Sequence, residues 1–587
     1  MKLKGLTILN LADEKVYRDF RFNESGLNVI LGQKSLESDE TNGVGKTAII
    51  ECIRYCLGAS LPKCFKDKPA LAKHNIFVAL DIEINGFALK LGRILYDDTY
   101  GYTIASGKLL FRLDLWDMYE SSNYREYIEN LALGGSFGLQ HKAPSFASIR
   151  EYLMRDEKTG FQGITLSGRN AVQNSKILNF LSLLPTDYEL KLGAIKSRLK
   201  DLQNQLKDIK AIGKEIKTIK QQHTDTLEEI KSLNQMLTTA DISGKISFDN
   251  VKYASIKNRL EIVLRDIHIL EHAKEQHAKS ISNLDENVKK AKEIIDLKSF
   301  YSQLLGYFPD KLSKNYDDMA SFYDYMTANR GQYFREQISS ISGKLGSLYV
   351  ERNACLEELS SCTEFMRNTE VGVDLRDISK KLNEKYQLVA TYLFKIEQYE
   401  KRKSIEEAIR SETDHLEEMA TALHSDFASY DKTINNIIQH YHNLNNIAYK
   451  EMGDLDYVFE DKTNMRANTG RIKITCSLPD EGAYGRFLMK INMFDISLLL
   501  NRVDNHNPLL FLVHDGSYSK PAPSIKGDML VSIDKYLKQR HRGQYFISVN
   551  TEELDSADLD RFRNMGAIVA ELERTESNEK RSIGIKY

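Results

Sequence analysis

The sequence predicts an α/β head assembled from its N- and C-terminal halves, with a long antiparallel helical coiled-coil arm inserted between them. Three observations predict it. The nine prolines stand at 62, 69, 144, 185, 309, 479, 508, 521 and 523, so 186–308 and 310–478 hold none, and nothing there interrupts a long helix. The apolar period changes from strand-like to heptad near 187 and back near 446. Short β-branched runs punctuated by turn residues occupy both ends.

Each element follows from local pattern. In 1–186 the runs TILNL and LNVIL read as strands. Phe77 to Leu91 alternates around Asn85-Gly86, a two-residue hairpin signal. KTAIIECIRYCLG reads as a helix closed by Gly58. In 187–445 the series Leu192, Ile195, Leu199, Leu202, Leu206, Ile209, Ile212, Ile216, Ile219 steps by three and four with one slip, a coiled-coil seam. A second series runs Leu416, Met419, Leu423, Tyr430, Ile434, Ile437, Tyr441, Leu444. Breaks near 238–248, Pro309 and 367–375 predict four helices, 187–237, 250–305, 312–366 and 376–445, with the tip at 367–375. At 1.5 Å per residue, an arm of about 60–75 helical residues reaches about 90–110 Å. In 446–587 the runs RIKITCSL, PLLFLVHD and QYFISVN read as strands, and the closing KRSIGIKY is a further strand candidate.

Composition excludes several classes. Of 587 residues 42% are hydrophobic and 28% charged, too apolar for a disordered chain. There is no 18-residue apolar run, which predicts no transmembrane helix and no membrane partner. The opening MKLKGLTILNLADEK lacks a long apolar core and a small-residue cleavage site, so no signal peptide is expected. Six cysteines without a CxxC pair argue against zinc fingers and disulfide frameworks, and predict a reduced, cytoplasmic protein. A net charge of −2 means that any nucleic-acid contact must use a local patch.

The chemistry starts in LNVILGQKSLESDETNGVGKTAIIECI, a strand, a glycine-containing loop and a helix in that order. In a P-loop, backbone N–H groups wrap the phosphates, a lysine neutralises them and a Ser/Thr hydroxyl binds Mg²⁺. Asn42, Gly43, Val44, Gly45, Lys46 and Thr47 have the right types and context. The strict pattern fails at Glu40, where a glycine is expected, and the loop after Gly32 is expanded.

These residues resemble the head of SMC/Rad50-type ABC ATPases. More narrowly they are similar to the bacterial coiled-coil ATPases of ABC three-component systems, including the Lamassu-type anti-phage family. The likeness extends to GRFLMKINMFD, FLVHDG, QYFISVN and SIGIKY, and so to both halves. The resemblance implies an ABC-type ATPase head using ATP and Mg²⁺. It implies that Lys46 and Thr47 bind phosphate and metal, and that Asp515 is the Walker B carboxylate. It puts Asn550 where a switch histidine often stands, and makes Gln162 a Q-loop candidate. It makes Gly482–Arg486 (GAYGR), with Gly485, the segment that caps the opposing subunit's nucleotide, though the usual serine is missing. The family's Asp-Glu pair is also missing from His514-Asp515-Gly516. Either Asp515 holds Mg²⁺ and the second carboxylate is absent, or Asp515 takes the catalytic place and His514 replaces the metal carboxylate.

A basic stripe is the second signal. Within 191–220 nine Lys and Arg face three acids, a local charge of +6. Lys196, Arg198, Lys200, Lys207 and Lys210 suit the backbone of double-stranded DNA without sequence specificity; an ordinary solvated coiled-coil face reads the same way. Cys52 with Cys56, and Cys355 with Cys362, read as core pairs on helix faces rather than metal ligands. His440 and His442, two apart on a helix, point apart. Asp558-Leu559-Asp560 lacks the apolar strand that a metal nuclease would place before it.

The expected function is an ATP-driven switch. Two heads would form a homodimer around ATP, with Lys46 from one and GAYGR from the other. The resemblance implies DNA sensing in anti-phage defence, with a nuclease-like effector and a small middle subunit as partners. Two alternatives stay open: a Rad50-like repair ATPase partnered with a nuclease, and a non-hydrolysing ATP-dependent scaffold.

Overall fold

The computed structural model describes residues 1–34, 43–107, 111–134, 143–213, 215–240, 255–260, 262–267, 269–271, 273–275, 278, 316–363, 370–573 and 580–585. The chain divides into two compact units. One combines Met1–Gly193 with Glu417–Tyr587, the other Ala194–Leu305 with Asp310–Leu416.

In the first unit the N-terminal stretch builds an antiparallel sheet from β1 (Lys2–Asn10), β2 (Lys15–Arg21), β4 (Ile76–Ile84), β5 (Phe87–Ile94), β6 (Tyr100–Ala105) and β7 (Asp117–Glu120), in the order β2-β1-β4-β5-β6-β7. Its hairpin turns where expected. Ile84 pairs with Phe87, and Asn85 and Gly86 take φ of 50° and 83°, the positive angles such a turn requires. β9 (Asp454–Phe459) and β10 (Ile472–Ser477) form a separate antiparallel pair.

The second large sheet is parallel and draws on both ends of the chain. β3 (Gly26–Gln33) and β8 (Met154–Arg155) come from the N-terminal stretch. β11 (Phe511–Asp515), β12 (Gln544–Asn550) and β13 (Ile568–Glu573) come from the C-terminal one. Their order is β13-β3-β12-β11-β8. β3 pairs with β12 from Gly26↔Gln544 to Gly32↔Asn550, so strands more than 500 residues apart lie side by side. β11 and β12 are buried along their whole lengths, as expected of parallel strands covered on both faces, whose sequences are continuous apolar runs. The helix Lys46–Cys56 closes as predicted. Gly58 stands just beyond it with φ of 85° and donates to the Tyr55 carbonyl. Cys52 and Cys56 are core residues there.

Several boundaries differ from expectation. The unit division at 416/417 puts Asp431–Tyr449 with the head elements, not with an arm ending at 445. That helix packs on Tyr484–Asp504 and Pro523–Gln539, where Asp504 accepts hydrogen bonds from Asn436 and Tyr536 and contacts His440 Nε2 at 2.8 Å. Residues 581–585 of the closing run do not form a strand. Their buried Ser582 and Ile583 pack as an irregular segment, and the edge strand is β13.

In the helical unit and its flanks, the first predicted helix is two, Tyr188–Gly213 and Ile216–Ala240. The interruption falls just after the heptad slip, at a glycine, the weakest helix former after proline. Of the seam, Leu192, Ile195, Leu199, Ile209, Ile216 and Ile219 are buried, and Leu202 and Leu206 are half-buried. The expected break at 238–248 begins later, because 238–240 are helical, and the expected helix 312–366 is Tyr316–Thr363. The helix expected over 376–445 is three: Glu370–Glu400, Arg402–Ala428 and Asp431–Tyr449. Residues 370–375, assigned to a tip, are helical; 367–369, Pro309 and 241–248 lie outside the described residues. Ile216–Ala240 packs on Glu370–Glu400 through Ile230, Leu382 and Val389. Val263 and Ile267 pack on Ile341 and Leu345, beside an Arg259–Glu351 ion pair at 2.8 Å. Cys355 is buried as expected. No helix among the described residues is long and apolar enough to cross a membrane.

Candidate functional site

The site forms where β3, β11, β12 and the helix Lys46–Cys56 converge. Gly43 and Gly45 take φ of 75° and 100°, backbone that L side chains rarely adopt. Gly45 is the N-cap, no side chain caps the helix and its first turn carries no acid. The helix dipole favours an anion at such an end. Val44 is buried, Thr47 exposed, and Asn42 lies outside the described residues.

Lys46 reaches back over β3. Its Nζ donates to Asn550 Oδ1 at the end of β12, and Gly32 makes room for this: a Cβ there would lie 2.7 Å from that oxygen and 3.0 Å from the lysine nitrogen. Asn550 is fixed from its other side, its Nδ2 donating to Glu553 at 2.9 Å. Burial lowers the Lys46 pKa, opposed by the carboxylates of Glu553, Asp515 and Glu157. Thus Lys46, Asp515 and Asn550, singled out from distant parts of the sequence, meet at one place.

β11 separates two roles by alternation. Asp515 is buried and accepts from the Ser548 hydroxyl, which itself accepts from the Gly516 N–H at 3.0 Å. His514 is engaged elsewhere. Its Nε2 lies 3.2 Å from Asp495 and its Nδ1 2.9 Å from the Tyr545 hydroxyl, and Phe161 packs edge-on against its ring at 5.2 Å. Burial lowers its pKa against the pull of Asp495. The alternative in which His514 takes the metal carboxylate's place does not fit this arrangement: one ring nitrogen faces Asp495 and the other the Tyr545 hydroxyl.

Gln162 is exposed, and among the described residues no hydrogen bond or ion pair ties it to Lys46, Asp515 or Asn550. The loop carrying it is nonetheless fixed. Arg155 pairs with Asp495, its Nη2 at 3.0 Å, and donates to the carbonyls of Gly160, Gly163 and Ile164. Phe161 packs with Leu488 and Ile491 of the helix Tyr484–Asp504. The residue sequence reasoning missed is Glu157, whose side chain lies against Gly516. Its one signal was the acidic turn RDEKTG directly after an apolar run.

GAYGR sits at the start of Tyr484–Asp504. Ala483 is its N-cap, without side-chain capping or a first-turn acid. Tyr484 is 59% exposed. Gly485 lets the helix approach the next loop, since a Cβ there would lie 3.1 Å from the Lys520 carbonyl. Of the basic candidates, Arg198, Lys200, Lys207 and Lys210 are exposed and Lys196 is half-buried. Arg198 pairs with Glu412 at 3.6 Å.

The "AAA domain" family model matches residues 2–294, and "Uncharacterised protein conserved in bacteria (DUF2326)" matches 453–587. The chain is 32% identical over 589 residues to "Uncharacterized protein YydD" of Bacillus subtilis (strain 168), covering 100% of both. The chain belongs to the YydD family. The AAA match over the YydD-type N-terminal region contains the Lys46 loop, which places an ATPase-type nucleotide module there. A structural likeness to "the Smc head domain with a coiled coil and joint derived from Pyrococcus yayanosii" spans 97% of this chain and 94% of the other, at 13% identity and a TM-score of 0.34.

Proposed function

We propose that this YydD-family chain is an SMC/Rad50-like, ATP-binding and ATP-hydrolysing switch that senses DNA and controls a partner effector in anti-phage defence. The observation that carries the nucleotide part is the meeting of Lys46, at an uncapped helix N-terminus, with Asn550 and Asp515 from strands contributed by the other end of the chain. Such a site can bind a triphosphate and be completed or loosened as the two stretches shift.

The residues fit Mg²⁺ held mainly by phosphate and water. Among the described residues no group of three or more His, Cys, Asp or Glu could hold a metal. Mg²⁺ in nucleotide sites needs only one or two protein oxygens beside the phosphates, here the Thr47 hydroxyl and the Asp515 carboxylate. Lys46 offsets phosphate charge, and Asn550 holds it in place.

A second head presents the exposed start of Tyr484–Asp504 to the bound phosphates, so a homodimer forms on ATP. A ligand drives such a switch only by binding one arrangement better than the other. Arg198, Lys200, Lys207 and Lys210 supply exposed positive charge along one helix for the DNA backbone. The defence role, the nuclease-like effector and the small middle subunit rest on the sequence resemblance.

The test is nucleotide binding by the full chain with and without Lys46→Ala. We expect binding of a fluorescent ATP analogue with Mg²⁺ to fall by about 100-fold, the equivalent of about 2.7 kcal/mol. Equal affinity in the variant would refute the site. Phosphate release, measured with and without linear DNA, separates a hydrolase from a scaffold.

A further inference from the structure

β11 ends in Asp515 and then turns at Gly516, φ 77°. The carboxylate that follows the Walker B aspartate in the resembling ATPases is therefore missing from this strand. The space it would fill is not empty. A Cβ built on Gly516 would lie 2.8 Å from Glu157 Cγ and 2.9 Å from both its Cβ and Cδ. A side chain at 516 and the side chain of Glu157 would claim the same volume.

Sheet register explains the coincidence. β8 runs parallel to β11, with Met154 beside Val513 and Arg155 beside His514. The pairing ends there, and the turn that follows β8 carries Glu157 against Gly516, the residue after β11. The neighbouring strand thus delivers a carboxylate where β11 has only a glycine. Glu157 lies near enough to Lys46 to act on its charge, as Asp515 and Glu553 do. Those two are committed, Asp515 to Ser548 and Glu553 to Asn550. Glu157 makes no hydrogen bond or ion pair among the described residues and faces solvent.

Its backbone is held although its side chain is open. Asp156 Oδ1 accepts from the Lys158 and Thr159 N–H groups at 2.9 and 2.8 Å, and the Gly160 N–H donates to the Asp156 carbonyl at 3.0 Å. Arg155 fastens the far side of the turn. The held backbone keeps the carboxylate within reach of this place, and the open side chain leaves it able to accept a proton.

We propose that Glu157 is the water-activating carboxylate of the ATPase site, supplied by the strand beside Asp515 instead of by the residue after it. This rests on the ATP-hydrolysing reading above. Glu157 accepts a proton from a water molecule as the water oxygen bonds to the γ-phosphorus. The bond from that phosphorus to the β–γ bridging oxygen breaks, its electron pair leaves on ADP, and the proton passes from Glu157 to phosphate and solvent.

The test compares wild type, Glu157→Gln and Lys46→Ala as full-length protein. Phosphate release, affinity for a fluorescent ATP analogue, and ATP-dependent dimer by sedimentation are measured on each. For Glu157→Gln we expect turnover to fall about 100-fold or more, affinity to stay within about threefold of wild type, and the ATP-dependent dimer to persist longer. Glu157→Gln turnover within about threefold of wild type overturns the proposal. So does a parallel loss of nucleotide affinity, which marks a binding role, and so does a wild-type protein that binds ATP without turnover. A Lys46→Ala protein that binds and hydrolyses like wild type refutes the underlying site instead, so the two failures are told apart.

Discussion

The first unit contains two helix N-termini that are capped alike and surrounded differently. The helices starting at Lys46 and Tyr484 both lack a side-chain cap and a first-turn acid. At Lys46 the chain surrounds the terminus. Two positive-φ glycines precede it, Lys46 folds back to Asn550, and Ser582 closes in so tightly that a Cβ on Gly45 would lie 2.1 Å from its hydroxyl oxygen. At Tyr484 the residues before the helix are exposed, and no comparable cradle encloses them. A bare terminus is therefore only half of a phosphate site. The other half is a lysine and shaped backbone, which this chain places around the Lys46 terminus; on the reading proposed above, a second molecule provides them at Tyr484.

That contrast breaks most sharply at its glycines. Gly45→Ala must carry a side chain at φ 100° into Ser582. Strain of about 1–3 kcal/mol predicts a loss of about 10- to 100-fold in the nucleotide affinity of the isolated protein. Gly485→Ala meets the Lys520 carbonyl at 3.1 Å and Pro521 Cα at 3.3 Å, milder crowding than at Gly45. It should leave that affinity intact and weaken ATP-dependent dimerisation, measured by sedimentation. Equal effects of both changes on affinity would abolish the distinction.

The link between the two termini is the buried Arg155–Asp495–His514 cluster, which joins the Glu157 loop, β11 and the Tyr484 helix. Asp495→Ala leaves a fully buried guanidinium without its carboxylate. We expect a cost of about 3–5 kcal/mol in denaturant unfolding; a cost below about 1 kcal/mol would deny the cluster a structural role.

The smallest expected effect concerns the base of the head. Burial pushes the Asp504 carboxyl up, but hydrogen bonds from Arg540, Tyr536, His440 and Asn436 outweigh it and hold its pKa at about 2. A depressed folded-state value means that the stabilisation is complete above the unfolded-state pKa of about 3.9 and is lost as pH falls toward 2. Asp504→Asn should cost on the order of 1–2 kcal/mol at neutral pH, discounted because the group is partly solvated. It should also flatten the acid limb of stability between about pH 4 and 2; an unchanged limb would assign that limb to other carboxylates.

Much of this was legible because it is local. Asn85-Gly86 states its own turn, Gly58 its helix end, and the heptad series its buried seam. Lys46 and Asp515 could be read from strand ends, because a glycine loop before a helix and an acid after an apolar run each state their context. The misreadings have equally local causes. The seam continues across 206–219, so periodicity ran one helix through the interruption near Gly213. β13, IVAELE, mixes alanine and acids into a short strand and gave no signal. Glu157, which holds the position against Gly516, stands in a turn that no strand or helix pattern marks.

By itself the sequence determined where a glycine-lysine loop precedes a helix and which stretches are strand or helix, because dihedral preference and side-chain period act over a few residues. Only the tertiary structure decided that β12 lies between β3 and β11, that His514 turns to Asp495 while Asp515 turns to Ser548, and that a glutamate from β8's end occupies the space beside Gly516. Those facts depend on the order and register of parallel strands, and pairing between segments hundreds of residues apart leaves no periodic trace in either segment.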